Sequence, residues 1–194
     1  MHLLLELREL IDSNIIGKIS FVDIQILQSK ENDIITKTEA NWRLKPSISG
    51  GGYFNDIAPH QIDLMYYYFG AIKNAKGFAI SNLNNGVHDV VNGIINFENG
   101  IQFRGIWYFN AAEKVKKDEC KIYGEKGTIS FSFYSDKVVL SLNDKDEVFN
   151  FENPTHIQQP MIEATVNYFL GKAKNPCTVK DGLEVMKVIN AFIK

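Results

Sequence analysis

Gly50-Gly51-Gly52-Tyr53-Phe54-Asn55-Asp56-Ile57-Ala58-Pro59-His60-Gln61-Ile62-Asp63 is the stretch around which the rest of the chain is organised. Successive glycines release the backbone for positive φ, which suits a tight turn or the close approach of backbone to a ligand. Behind them a helix is expected from about Asn55 to Phe69, ended by Gly70. At about 100° per residue, Asp56, His60, Asp63 and Tyr67 fall within an arc of roughly 60°, a polar stripe on an otherwise apolar helix. That start places Pro59 in the first turn, where its missing N–H has no intrahelical acceptor, and offers Asn55 or Asp56 as the cap.

Upstream, Leu3, Leu4, Leu7, Leu10 and Ile11 recur at helical spacing, and Gly17 provides a left-handed stop. Glu6, Arg8 and Glu9 interrupt the apolar run, so an amphipathic helix is expected rather than a signal peptide. Lys18 to Gln28 alternates as a long strand, with Ile19, Phe21 and Asp23 on one side and Val22, Ile24 and Ile26 on the other. Residues 29–49 read as a polar, irregular loop, and a loop of that length is usually functional or mobile. It carries Trp42-Arg43-Leu44-Lys45-Pro46 up to the glycines.

Downstream the pattern turns to strands: Ala75–Leu83, His88–Phe97, Ile101–Asn110, Asp118–Gly124, Thr128–Tyr134, Lys137–Leu142 and Glu147–Phe151. Glu98-Asn99-Gly100 predicts a hairpin with positive φ at Asn-Gly, and Glu125-Lys126-Gly127 and Asn143-Asp144-Lys145-Asp146 predict two more. Ile106 and Tyr108 leave the second face of their strand only half polar, which points to a partner surface. Helices are expected over Pro160–Leu170 and Lys180–Ile193. This segregated order predicts an α+β domain, an open and mostly antiparallel sheet with helices on one face and self-association through the other. One domain over residues 1–194 is the simplest organisation.

Composition sets further bounds. The balance of 21 Lys+Arg against 23 Asp+Glu, with no basic run, lacks the electrostatic footprint of a nucleic-acid binder. No stretch approaches about 18 uninterrupted apolar residues, so no membrane span is expected. Cys120 and Cys177 match no metal spacing and read as buried, inert, reduced thiols of a cytoplasmic protein.

The stripe offers acid/base chemistry. Imidazole titrates near neutrality, so His60 is suited to taking a hydroxyl proton while Asp56 orients the ring. Each residue also has an ordinary reading: Asp56 as a helix cap, His60 as a packed histidine, Asp63 as an orienting or capping neighbour, Gly50 to Gly52 as a turn. Arg43, Lys45 and Tyr53 are either solvated loop or contacts to substrate hydroxyls or a carboxylate. Trp107, Tyr108 and Phe109 suit core and interface better than a carbohydrate platform. Metal binding by Asp56, His60 and Asp63, with His88 and Asp89 added, has no zincin spacing behind it, and no metal is expected.

Gly50-Gly51-Gly52-x3-Asp56-x3-His60-x2-Asp63 followed by Gly70 resembles the C-terminal-domain motif of the glucose-fructose oxidoreductase/inositol dehydrogenase/rhizopine-catabolism (Gfo/Idh/MocA) family. The segments Ile11–Gly17, Trp42-Arg43, Ile122-Tyr123-Gly124-Glu125-Lys126-Gly127-Thr128-Ile129 and Asp181-Gly182-Leu183 resemble other parts of that domain, in the same order. The resemblance implies a dihydrodipicolinate-reductase-like fold and a parent oxidoreductase that moves a hydride between NAD or NADP and a sugar, polyol or derivative. It implies Asp56 and His60 as the catalytic pair, and substrate contacts at Gly51, Gly52, Tyr53, Asp63 and Arg43, with nicotinamide able to approach Gly51 and Gly52. The dinucleotide fingerprint of a Rossmann domain and the Glu-Lys-Pro catalytic-lysine motif are absent from this sequence. The chain is therefore expected to be the substrate-side half of an active site and inactive alone. Two alternatives stand beside this: a non-catalytic ligand-binding or oligomerisation domain, and a parent that uses transient oxidation to cleave a glycosidic bond.

Overall fold

The computed structural model describes residues 2–29, 42–81, 86–151, 155–156 and 158–194, the side chains of residues 2–5 excepted. Residues 30–41 of the expected loop, the side chains of Leu3 and Leu4, and the end of the strand expected to reach Leu83 lie outside the described residues. The elements are α1 (His2–Asp12), β1 (Ile19–Leu27), a 3-10 turn (Trp42–Leu44), α2 (Pro46–Ser49), α3 (Tyr53–Phe69), β2 (Ile72–Ile80), β3 (Val90–Phe97), β4 (Gln102–Tyr108), a second 3-10 turn (Glu113–Val115), β5 (Lys117–Gly124), β6 (Gly127–Phe131), β7 (Lys137–Leu142), β8 (Lys145–Asn150), α4 (Gln159–Phe169) and α5 (Val179–Ile193).

The strands form one open eight-stranded sheet in the order β2-β3-β4-β1-β5-β6-β7-β8. Every pairing is antiparallel except β1 with β4, which run parallel, so the sheet is mixed. Two parallel strands need a long crossover between them, and here that crossover contains α3 and the β2–β3 hairpin. The fold is α+β, as the segregated element order predicts.

Alternation decides which face is covered. Val22, Ile24 and Ile26 of β1, Phe103 and Trp107 of β4, and Cys120 and Ile122 of β5 share one face and are fully buried with Phe54, Ile62 and Met65 of α3 and Ile189 and Phe192 of α5. Trp107 is the hub: Phe54 meets its ring edge-on at 5.3 Å, Phe192 lies 5.9 Å away, and its indole N–H donates to Gln61 Oε1 at 2.6 Å. A Cβ on Gly93 would stand 2.2 Å from the Phe192 ring, so that glycine lets α5 close onto β3. On the opposite face Phe78, Ile80 and Ile94 are 71%, 55% and 47% exposed. Asp23, buried there in the middle strand, accepts from Arg104 Nε at 2.7 Å and from Gln25 Nε2 at 2.8 Å.

Local expectations are refined at two turns and at one helix start. At Glu98-Asn99-Gly100 only Gly100 has positive φ, and Phe97 N–H reaches Ile101 O at 2.9 Å, so the hairpin has a three-residue loop rather than a two-residue one. At the β7–β8 connection the turn is Asn143-Asp144 alone, both at positive φ. Helix α3 begins two residues early, at Tyr53, which puts Pro59 in its second turn; the N–H that would have reached the Asn55 carbonyl is missing. Among the described residues no helix is long and apolar enough to cross a membrane.

Candidate functional site

The site gathers at the sheet end where the parallel pair β1 and β4 finishes. Gln28 N–H donates to Tyr108 O at 2.7 Å, Ala111 N–H to Gln28 O at 3.0 Å, and Phe109 N–H to Asp89 O at 2.8 Å, so three strand ends are stitched together. The first turn of α3 lies over them: the Tyr53 ring stacks on Phe109 at 5.7 Å, and Gly52 lies against Val87. Gly52 has φ +81° and is the N-cap of α3, with no side chain capping the helix. The expected cap by Asn55 or Asp56 is not formed, because the helix starts ahead of both. Asn55 instead turns its Nδ2 back to Gly50 O at 3.2 Å, and Ser49 Oγ accepts from Gly51 and Gly52 N–H.

Asp56 is spoken for by a residue 13 positions upstream. Arg43 Nε donates to Asp56 Oδ2 at 2.7 Å, and the Arg43 guanidinium lies 4.4 Å from the Trp42 ring centroid. The Arg43 side chain is 10% exposed and that of Asp56 is 32% exposed. A solvated loop arginine, the ordinary sequence reading, is therefore not what the fold contains. One turn further on His60 is exposed, and among the described residues no hydrogen bond joins it to Asp56.

The rest of the stripe diverges. Burial raises the Asp63 carboxyl, as does the charge of Asp181 at the start of α5, while His60 opposes the shift. Tyr67 belongs to another neighbourhood, its carbonyl accepting from Arg8 of α1 at 2.8 Å. Residues on one helical face thus meet three different partners, Arg43 at Asp56, Asp181 at Asp63 and Arg8 at Tyr67, while His60 stands exposed one turn after Asp56. Tyr134, in the turn between β6 and β7, lies at the same sheet end by strand order, and its hydroxyl is pushed up by partial burial first, then by the charges of Asp118 and Asp56. Nothing in the local sequence marks this residue, because only the strand order brings its turn to this end.

The space beside the glycines bears on cofactor approach. A Cβ on Gly51 would fall 2.3 Å from Asn55 Nδ2, and one on Gly52 would fall 2.0 Å from Val87 Cγ1. Both residues are buried, so the side freed by the missing Cβ is filled from within the protein. The described residues do not fit a dinucleotide cradle: the helix start is covered by Val87 and tied to Ser49, and no glycine-rich turn follows a strand. Among the described residues no group of three or more His, Cys, Asp or Glu side chains could hold a metal ion. Cys120 is buried as expected, with its thiol raised by burial, but Cys177 is exposed in the connection just before α5. Both cysteines are free.

With this geometry in view, the sequence profile of the GFO/IDH/MocA C-terminal domain matches residues 4–130. The chain belongs to the GFO/IDH/MocA family. Oxidoreductase P35 of Formosa agariphila is 50% identical over 188 residues, which is 97% of this chain and 58% of that protein. An oxidoreductase structure from Thermotoga maritima matches with a TM-score of 0.78 at 25% identity, covering 97% of this chain and 55% of that one. Levoglucosan dehydrogenase, solved in complex with NADH and L-sorbose, matches with a TM-score of 0.77 at 20% identity over 95% of this chain and 58% of that one. The chain thus spans little more than half the length of the relatives it matches.

Proposed function

We propose that this chain is the substrate-side domain of an NAD(P)-dependent oxidoreductase that acts on a sugar, polyol or derivative, and that the acid/base work falls to Asp56 and His60. The observation that carries the proposal is the clamped carboxylate: Arg43 fixes Asp56 at 2.7 Å one turn before an exposed histidine, at the sheet end where β1 and β4 finish and β3 begins. In this reading His60 takes the proton of the reacting hydroxyl as the carbinol is oxidised, and returns it in the reverse direction. Asp56 stabilises the imidazolium through space and accepts from a substrate hydroxyl with the oxygen that Arg43 leaves free. Tyr53 and Asp63 contribute at the edges of the pocket, and Gly51 and Gly52 shape it by admitting Val87 and Asn55. The nicotinamide cofactor is assigned to residues outside those described. The family membership and the NADH and sugar complexes of a structural relative support the reading.

Two surfaces bear on how such a chain would be completed. Helix α4 buries none of its residues, and Ile162, Val166 and Phe169, at i, i+4 and i+7, are 58%, 49% and 80% exposed. An apolar stripe of that kind needs cover, and the additional length carried by the relatives is the cover we propose. The open sheet face with Phe78, Ile80 and Ile94 is the proposed site of self-association. Sedimentation at micromolar concentration checks it, and a monomer refutes it.

The functional test uses the complete reading frame screened against sugars and polyols with NAD and NADP. Activity that falls by about 100-fold or more in His60→Ala is the expected result for loss of a general base. Unchanged turnover in that variant refutes the assignment. Calorimetric titration of this chain alone with NAD+ should show no tight binding.

A further inference from the structure

The turn between β6 and β7 is held more firmly than a surface connection requires. Asp118, at the start of β5, commits both carboxylate oxygens to it: Oδ1 accepts from Phe133 N–H at 3.2 Å and Oδ2 from Tyr134 N–H at 3.1 Å. Ser132 Oγ donates to the Asp118 carbonyl at 2.6 Å, so three consecutive residues are tied to one. Phe133 is anchored against Phe131, edge to face at 5.5 Å. Burial works against the Asp118 charge and raises its carboxyl, with the two N–H bonds opposing that shift. A half-buried carboxylate is an expensive way to hold a turn whose next side chain, Tyr134, is 64% exposed.

The location of that side chain supplies the reason. Strand order brings the ends of β3, β4, β1, β5 and β6 side by side, and α3 begins over the same sheet end. Trp42, 37% exposed, lies there too, carrying Arg43 on its ring. We propose that Tyr134 is an aromatic platform of the substrate pocket, its ring face receiving the C–H face of a sugar or cyclic polyol whose reacting hydroxyl lies at Asp56 and His60. This rests on the proton-handling assignment made above. Pyranose and cyclitol rings present an apolar C–H surface that matches the negative face of an aromatic ring. Tyrosine has few side-chain torsions to freeze, and a backbone pinned in advance leaves little ordering to be done on binding.

The test is an NMR titration of this chain with levoglucosan, D-glucose and myo-inositol, following the Tyr134 ring and the His60 imidazole in the same spectra. At least one ligand should shift both signals with one binding curve. Tyr134→Phe should bind as the native chain does, and Tyr134→Ala should bind about 3- to 10-fold more weakly at an unchanged melting temperature. A ligand that shifts His60 with the same affinity in Tyr134→Ala overturns the platform while leaving the acid/base assignment standing. Shifts at Tyr134 without any at His60 overturn it too, since they put the ring outside the pocket. Silence at both residues with all three ligands counts against both readings.

Discussion

Removing the two halves of the Arg43–Asp56 pair, singly and together, tests the physical basis of the site. The side chains are 10% and 32% exposed and meet at 2.7 Å. Unit charges about 4 Å apart attract by roughly 4 kcal/mol at an effective dielectric near 20, and desolvating the guanidinium removes much of that. A charge-assisted hydrogen bond nets roughly 1.5–3 kcal/mol, and water access to Asp56 puts this pair at the lower end, about 1.5 kcal/mol of coupling. The single variants should be unequal. Asp56→Ala deprives a buried guanidinium of its carboxylate and should cost about 2–3 kcal/mol, whereas Arg43→Ala leaves a carboxylate that can reach water and should cost about 1–2 kcal/mol. Urea unfolding followed by far-UV circular dichroism measures all four corners of the cycle. Each kcal/mol should also appear as roughly 2–4 °C in melting temperature for a chain of this size. Coupling below about 0.5 kcal/mol, the range of a solvent-screened surface pair, would refute the clamp, as would an Arg43→Ala that is costlier than Asp56→Ala.

Three further outcomes follow from the same structure. Gly52→Ala should destabilise the chain by about 2–4 kcal/mol, because it strains φ +81° and drives a Cβ into Val87; adding Val87→Ala should recover only the overlap part, as denaturant midpoints would show. Trp107→Phe removes the donor to Gln61 Oε1 from the centre of the core and should cost about 2–4 kcal/mol with a loss of near-UV circular dichroism. For Asp23, burial alone would raise the carboxyl, but the bonds from Arg104 and Gln25 and the charges of Arg104 and Lys117 outweigh it and hold it below its ordinary 3.8. A depressed carboxyl stabilises the fold above its unfolded value, so the stability gap between the native chain and Asp23→Asn should be full at neutral pH. It should shrink as the pH falls below about 4, and a gap that grew on acidification would show the sign to be wrong.

Much of the fold was legible because it depends on short-range periodicity. The alternation of Val22, Ile24 and Ile26, the helical spacing of Leu7, Leu10 and Ile11, and turn chemistry such as Asn143-Asp144 are local, and the structure carries each of them out. What local pattern missed was register at element ends. The start of α3 at Tyr53 rather than near Asn55 undid the expected cap and moved Pro59 into the second turn, because Gly52 packed on Val87 sets the helix start. Cys177 was misjudged for a similar reason: a cysteine is usually buried, but this one sits in the exposed connection before α5.

By itself the sequence determined the class of fold, the family motif, and the placing of Asp56 and His60 on one face of one helix, since all of these follow from spacing along the chain. Only the tertiary structure decided what each polar residue meets. Arg43 reaches Asp56 across 13 positions, Asp63 lies in the field of Asp181, and strand order brings the turn that carries Tyr134 to the sheet end over which α3 begins. The parallel pairing of β1 with β4 brings the ends of these strands together with the start of α3, and no periodicity along the chain encodes a contact between elements so far apart. The glycine triplet shows the same division: its composition announces an unusual backbone, but Asn55 against Gly51 and Val87 against Gly52 fill the space those two glycines free.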